Sequence, residues 1–206
     1  MARQPRTLPE SAMLHIICRS NNGMRLFHEN SDFERFLGKL EIAAIKAALF
    51  IHHYILMHTH VHILAWTDRT DLLASAIKSV TISHHHYYAL KYGYRGHLWH
   101  SRYRSILIEN EPHWFQCGRY IELNADHAGI CDNPADYQWS SYHYYAKGVT
   151  DTIVRPIMHY DKDHLWRPGV ENHGYCEFVL AGKKLDYLSQ KELFEDISPV
   201  GDVHRR

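Results

Sequence analysis

The sequence predicts an α+β fold, a ferredoxin-like sandwich whose mainly antiparallel sheet is covered by helices, with a C-terminal appendage. Three observations point there. Strand and helix signals follow the order strand, helix, strand, strand, helix, strand, helix. Two apolar segments are separated by only His58-Thr59, which reads as a hairpin, and the periodic pattern fades after about Lys147. A chain of 206 residues, 45% hydrophobic and 22% charged, suffices for one full core.

Each element has a local cause. Ala12–Arg19 is an apolar run stopped by Ser20-Asn21-Asn22-Gly23, a turn signal, and reads as a first strand. Asp32 opens a helix to about Leu49, in which Phe33, Phe36, Leu37, Leu40, Ile42, Ala44, Ile45 and Ala48 recur at near-helical spacing. The hairpin strands are Phe50–Met57 and His60–Thr67. Asp71–Tyr92 reads as a second helix ended by Gly93, and Arg102–Glu109 as a fourth strand. Glu111-Pro112 starts a third helix, with proline in the first turn where a missing N–H costs little, and it runs through Tyr120 to about Asn124. A domain of residues 1–147 is therefore expected, followed by an extension, 148–206, with a short helix near Ser189–Asp196.

Composition narrows the function. Lysine plus arginine equals aspartate plus glutamate, 23 each, so a nucleic-acid surface has to be a local patch. Cys18, Cys117, Cys131 and Cys176 form no Cys-x-x-Cys pair, which argues against a zinc ribbon and fits a reduced, cytoplasmic setting. The longest apolar runs, such as Ala43–Ile51, are interrupted by Lys46 and fall short of the roughly 20 residues of a membrane span. The N-terminal stretch reaches Pro9-Glu10 without a segment resembling an export signal.

Among 19 histidines, His60-Val61-His62 stands out. Side chains alternate along a strand, so both imidazoles share one face and could bind a divalent ion together. Solvent-facing histidines would give the same pattern. Tyr120 and Asn124, four residues apart on a helix, also share a face, where a hydroxyl and an amide oxygen can converge on one ion. By spacing alone Tyr120 reads equally as a core tyrosine. A hard ion such as Mg²⁺ or Mn²⁺ suits imidazole, amide and water ligands, whereas structural zinc would want thiolates. Gly96-His97-Leu98-Trp99-His100-Ser101-Arg102-Tyr103-Arg104 mixes aromatics with cations, as in a surface that stacks bases and neutralises phosphates, or as in a strand edge with a buried Trp. His84-His85-His86 fans around a helix and reads as a solvated face.

Taken together, His15-Ile-Ile-Cys-Arg-Ser-Asn-Asn22, Tyr54-Ile-Leu-Met-His-Thr-His-Val-His-Ile63, Gly96-His-Leu-Trp99 with Arg102-Tyr103, Arg119-Tyr-Ile-Glu-Leu-Asn124 and Trp139-Ser-Ser-Tyr142 resemble the REP-associated tyrosine transposases of the HUH endonuclease superfamily, in that family's order. The resemblance spans about residues 12 to 146. It implies a ferredoxin-like core, His60 and His62 as paired metal ligands, Asn124 in the position of the helix-borne third ligand, Tyr120 as nucleophile and Mg²⁺ or Mn²⁺ as cofactor. It also implies single-stranded hairpin DNA as partner, with Arg19, Asn21, Asn22, His97, Trp99, Arg102, Arg104 and Arg119 as the DNA-contacting set. The activity implied is single-strand cleavage and strand transfer through a 5′-phosphotyrosine. Two departures from the family pattern, His58-Thr59 before the histidine pair where Pro-Asn is usual and Ala125 after Asn124 where Pro is usual, remove no reacting group. Competing readings are a hairpin-binding regulator that does not cut, a metal-dependent phosphodiesterase using water, and a structural domain whose histidines bind nothing.

Overall fold

The computed structural model describes residues 8–156 and 166–196. Four strands, β1 (Ala12–Arg19), β2 (Leu49–Leu56), β3 (His60–Thr67) and β4 (Arg104–Leu107), form one antiparallel sheet in the order β2-β3-β1-β4. The helices are α1 (Asn30–Lys46), α2 (Thr70–Tyr92), α3 (Glu111–Glu122), α4 (Asn124–His127), α5 (Tyr142–Lys147), α6 (His173–Ala181) and α7 (Tyr187–Lys191), the last continued by a π-helical turn, Glu192–Asp196. The α+β sandwich expected from the sequence is the fold observed.

β1 pairs with β3 on one edge and β4 on the other, and because chain packs over both faces of the sheet its side chains are buried almost without alternation, as its nearly continuous apolar run requires. α1 starts two residues before Asp32 because Glu29 and Asp32 form a reciprocal capping box. It stops at Lys46, short of the expected Leu49, where Ala48 adopts a left-handed φ of 47° and turns the chain into β2. Ile42 and Ile45 keep the helical period of the sequence yet are 49% and 70% exposed, because they lie on the outer side of α1. Gly93 ends α2 with a φ of 61°, a conformation glycine adopts without strain. β4 is shorter than expected because its ladder with β1 extends only over Arg104–Leu107.

Helices cover both faces of the sheet. α3 packs on β2 and β3 over the face that presents His62, while α1 packs on β2 and on α2 over the other. Within α2, His84 is buried and its Nε2 donates to the Leu26 carbonyl at 2.9 Å, so only His85 and His86 of the triplet reach solvent. α3 is capped by the Asn110 side chain, which accepts from the His113 N–H at 3.1 Å. The third helix ends at Glu122, and Asn124 opens the separate turn α4.

The described part of the segment after Lys147 lies on the core. Val154 bridges to Ile51, Tyr175 and Val179 of α6 are buried, and Phe194 reaches the sheet. α6 was not expected, since nine residues with two buried positions give little periodic signal. Among the described residues no helix is long and apolar enough to cross a membrane.

Candidate active site

The site forms where β3, β1, α3 and the C-terminal turn meet. Strand alternation puts His60 and His62 on one face, with ring centroids 4.9 Å apart and planes nearly perpendicular. α3 sets the Tyr120 ring edge-on to His62 at 6.2 Å. One helical turn later the Asn124 side chain donates to the Tyr120 carbonyl at 2.9 Å and hydrogen-bonds His60. The structure thus gathers the four residues the sequence singles out for chemistry. Thr59 Oγ1 lies 3.0 Å from His60 Nδ1.

Sequence reasoning missed two further members. His15 of β1 is fully buried, with Nε2 2.8 Å from His62 Nδ1 and Nδ1 2.9 Å from the Phe194 carbonyl. Glu195 accepts a hydrogen bond from the Tyr120 hydroxyl on Oε1 and pairs with Arg19 through Oε2. Its Oε1 also lies 3.5 Å from His62 Nε2, a buried nitrogen with no hydrogen-bond partner. Phe194 and Tyr187 pack on the Tyr120 ring at 5.3 and 6.3 Å and leave it wholly buried. No signal in the sequence ties Glu195 to Tyr120.

Burial governs the protonation states. It pushes His60 down to about 4, helped by the Arg19 charge and opposed by the Asn124 hydrogen bond. It holds His62 well below the usual imidazole range, with His60, His15 and Arg19 adding to the effect. His15 is pushed down to about 3, again mainly by burial. Two neutral imidazoles with lone pairs available are what a divalent ion requires of histidine. Burial raises the Tyr120 hydroxyl above the usual phenol range, and the Glu195 carboxylate raises it further.

The residues fit the hard divalent ion that the sequence resemblance implies. His62 Nε2 is an orphaned buried nitrogen, His60 lies beside it, and an amide and a carboxylate stand next to them. Among the described residues no three His, Cys, Asp or Glu side chains are grouped to hold a metal. Asn124 is therefore the side chain that would complete a set with the two imidazoles.

Most of the expected DNA-contacting residues assemble on one rim. Ser20 bridges to Trp99, Asn21 N–H donates to the Leu98 carbonyl at 2.8 Å, and His100 N–H donates to the Arg19 carbonyl at 3.0 Å. Ser20 N–H donates to the Thr59 carbonyl at 2.8 Å, tying this rim to the start of β3. Asn22, His97 and Arg102 are exposed there, and Asn22 has a left-handed φ of 49°. Arg104 follows on β4, opposite Ile17. Trp99 is not free to stack on a base: its indole N–H donates to the Thr81 carbonyl at 2.8 Å and its ring lies against Phe36 and His84. Arg119 does not join the rim either. It is 7% exposed beneath α6, bonded to Gln116 and lying 4.9 Å over the Phe178 ring.

Neither a protein-family model nor a curated protein sequence matches the chain. A solved structure does match in fold: that of the REP-associated tyrosine transposase bound to a REP hairpin, with a TM-score of 0.60 at 14% identity, covering 76% of this chain and 93% of that one. The chain thus shares the fold of a DNA-hairpin-bound transposase.

Proposed function

We propose that this protein is a single-strand DNA endonuclease and strand transferase that forms a 5′-phosphotyrosine link through Tyr120 at hairpin-flanked sites. The observation that carries the reading is the seat of the Glu195 carboxylate. One anionic group there touches the Tyr120 hydroxyl and the Arg19 guanidinium and approaches the bare His62 Nε2 at 3.5 Å. A nucleophile, a cation and a metal-binding imidazole around one anionic oxygen are the partners a scissile phosphate needs. The hairpin held by the transposase of the same fold supports folded single-stranded DNA as substrate.

In this reading residues 1–147 are the catalytic domain and 148–206 an extension that covers the nucleophile, in a cytoplasmic, nucleoid-associated protein. His60, His62 and Asn124 would hold Mg²⁺ or Mn²⁺, which when bound polarises the scissile phosphate. DNA entry displaces Glu195 with Phe194 and Tyr187 and uncovers Tyr120. Arg19 exchanges the carboxylate for a phosphate oxygen, and Asn21, Asn22, His97, Arg102 and Arg104 flank the strand. Tyr120 Oη attacks phosphorus in line, the 3′-hydroxyl leaves, and attack by a second 3′-hydroxyl rejoins strands without ATP.

One observation favours a second reading, a regulator that binds hairpins without cutting: Tyr120 is wholly buried. Purified protein incubated with Mn²⁺ and labelled single-stranded hairpins from the flanks of its own gene, run on a denaturing gel beside Tyr120→Phe, separates the two. A covalent band requiring Tyr120 and metal is expected. Cleavage without an adduct would assign the attack to water, and tight binding without cleavage would favour the regulator.

A further inference from the structure

We infer that His15 is a positioning residue that fixes the tautomer of His62 and thereby keeps His62 Nε2 proton-free and ready for a metal ion. The inference rests on the metal-dependent reading above, but its argument is a chain of hydrogen bonds. The Phe194 carbonyl can only accept, so the proton in its 2.9 Å contact with His15 Nδ1 belongs to His15. A neutral imidazole carries one proton, which leaves His15 Nε2 an acceptor. The 2.8 Å contact between His15 Nε2 and His62 Nδ1 then takes its proton from His62 Nδ1. His62 Nε2 is left with its lone pair.

The alternative assignment fails on this geometry. A proton on His15 Nε2 with none on Nδ1 would set two lone pairs against each other at the Phe194 carbonyl. A doubly protonated His15 would put a charge in a fully buried position whose two hydrogen-bond partners, the Phe194 carbonyl and the His62 ring, are both neutral.

A second observation agrees independently. His62 Nε2 has no hydrogen-bond partner although the Glu195 carboxylate lies 3.5 Å away. A protonated Nε2 would be drawn into that carboxylate. Two acceptors facing each other across such a gap are the surroundings a cation relieves. In the sequence His15 stands in β1 and opens a motif of the resemblance, but neither gives it a role; its function depends on the register that sets Ile17 opposite His62 and brings His15 diagonally beneath it.

Tautomers of His62 are read directly by ¹⁵N-resolved NMR of the metal-free protein, whether or not the protein cuts DNA. Wild type is expected to show His62 protonated on Nδ1. His15→Gln, whose amide can donate to the Phe194 carbonyl and accept from His62, is expected to keep that signature and most of the Mn²⁺ affinity measured by calorimetry. His15→Leu is expected to give a mixture of tautomers and about 10- to 100-fold weaker Mn²⁺ binding. A wild-type His62 protonated on Nε2 would overturn the inference without any variant. So would His15→Leu with unchanged tautomer and affinity, or a folded His15→Gln that behaves as His15→Leu. Absence of DNA cleavage with the expected His62 signature would count against the proposed function and leave the role of His15 standing.

Discussion

Gly118 of α3 rests directly on the imidazole of His53 in β2: a Cβ at position 118 would stand 2.7 Å from both His53 Cδ2 and Nε2. The contact seats the helix that carries Tyr120. His53 Nδ1 lies 2.9 Å from Glu122 Oε1, and Glu122 also accepts from Ser141 Oγ at 2.8 Å and from the Tyr175 hydroxyl at 2.7 Å. His53 and Glu122 are completely buried, so this network joins β2, α3, α5 and α6 through polar groups that cannot turn to water instead.

Gly118→Ala should therefore destabilise the protein. Helix propensity alone would favour alanine by about 1 kcal/mol. The methyl group, however, meets a ring held by the buried network, and overpacking of this kind costs about 1–3 kcal/mol. A lower urea midpoint is expected, with weaker Mn²⁺ binding as a displaced α3 draws the following turn α4, and Asn124 with it, from His60. A higher midpoint would show that the ring moves freely.

Asp32 gives a second stability test. It is fully buried and accepts from the His28 N–H at 2.7 Å, the Tyr87 and Tyr92 hydroxyls at 2.8 and 2.7 Å, and Lys91 Nζ at 2.6 Å. It thereby locks the start of α1 to the end of α2. Asp32→Ala removes the acceptor of these four donors and of the capping-box Glu29 N–H at 3.2 Å, and is expected to cost roughly 3 kcal/mol, read from chemical unfolding. A loss below about 0.5 kcal/mol would mean that water replaces the carboxylate without strain.

In the proposed mechanism Glu195 competes with the phosphate for Arg19 and Tyr120, both of which it bonds in this structure. Charge-assisted hydrogen bonds of this kind contribute about 1.5–3 kcal/mol each, so losing one shifts the uncovered population by roughly 10- to 100-fold. Glu195→Ala, or removal of residues 187–206, is expected to raise the rate of Tyr120–DNA adduct formation by about that factor. A slower rate in Glu195→Ala, with binding unchanged, would instead make the carboxylate the acceptor of the tyrosyl proton.

What the sequence reveals of this site follows from the range of the interactions. The bounds of β1 and β3 match expectation because apolar runs ended by turn residues are local signals. His60 with His62, and Tyr120 with Asn124, are legible because periods of two and of three to four residues put them on shared faces. His15 meets His62 only through the β1–β3 register, and Glu195 meets Tyr120 across 75 residues of chain. His84 is the one residue of its triplet turned toward Leu26, a fact that depends on how α2 docks. Arg119 and Trp99 were expected in the DNA-contacting set because both stand in the motifs that carry the resemblance. Tertiary packing directs one beneath α6 and the other into the groove beside α1 and α2.

The buried histidines make the fold sensitive to acid over a defined window. Burial pushes His15 down to about 3, and His52, His60 and His84 down to about 4, while His62 is also held well below the usual range. In the unfolded chain the same side chains titrate near about 6.5. Above that pH both states are neutral and stability is at its full value. Below it the unfolded chain takes up protons that the native state refuses until about pH 4, so stability falls as pH drops through this interval. Each fully buried histidine contributes a slope approaching about 1.4 kcal/mol per pH unit. Urea midpoints measured from pH 7.5 to 5 should decline steadily, and less steeply in His84→Gln, which removes one titrating group far from the candidate metal site. A flat profile over that range would mean that these imidazoles carry protons in the folded state, which would also argue against His62 as a ligand at neutral pH.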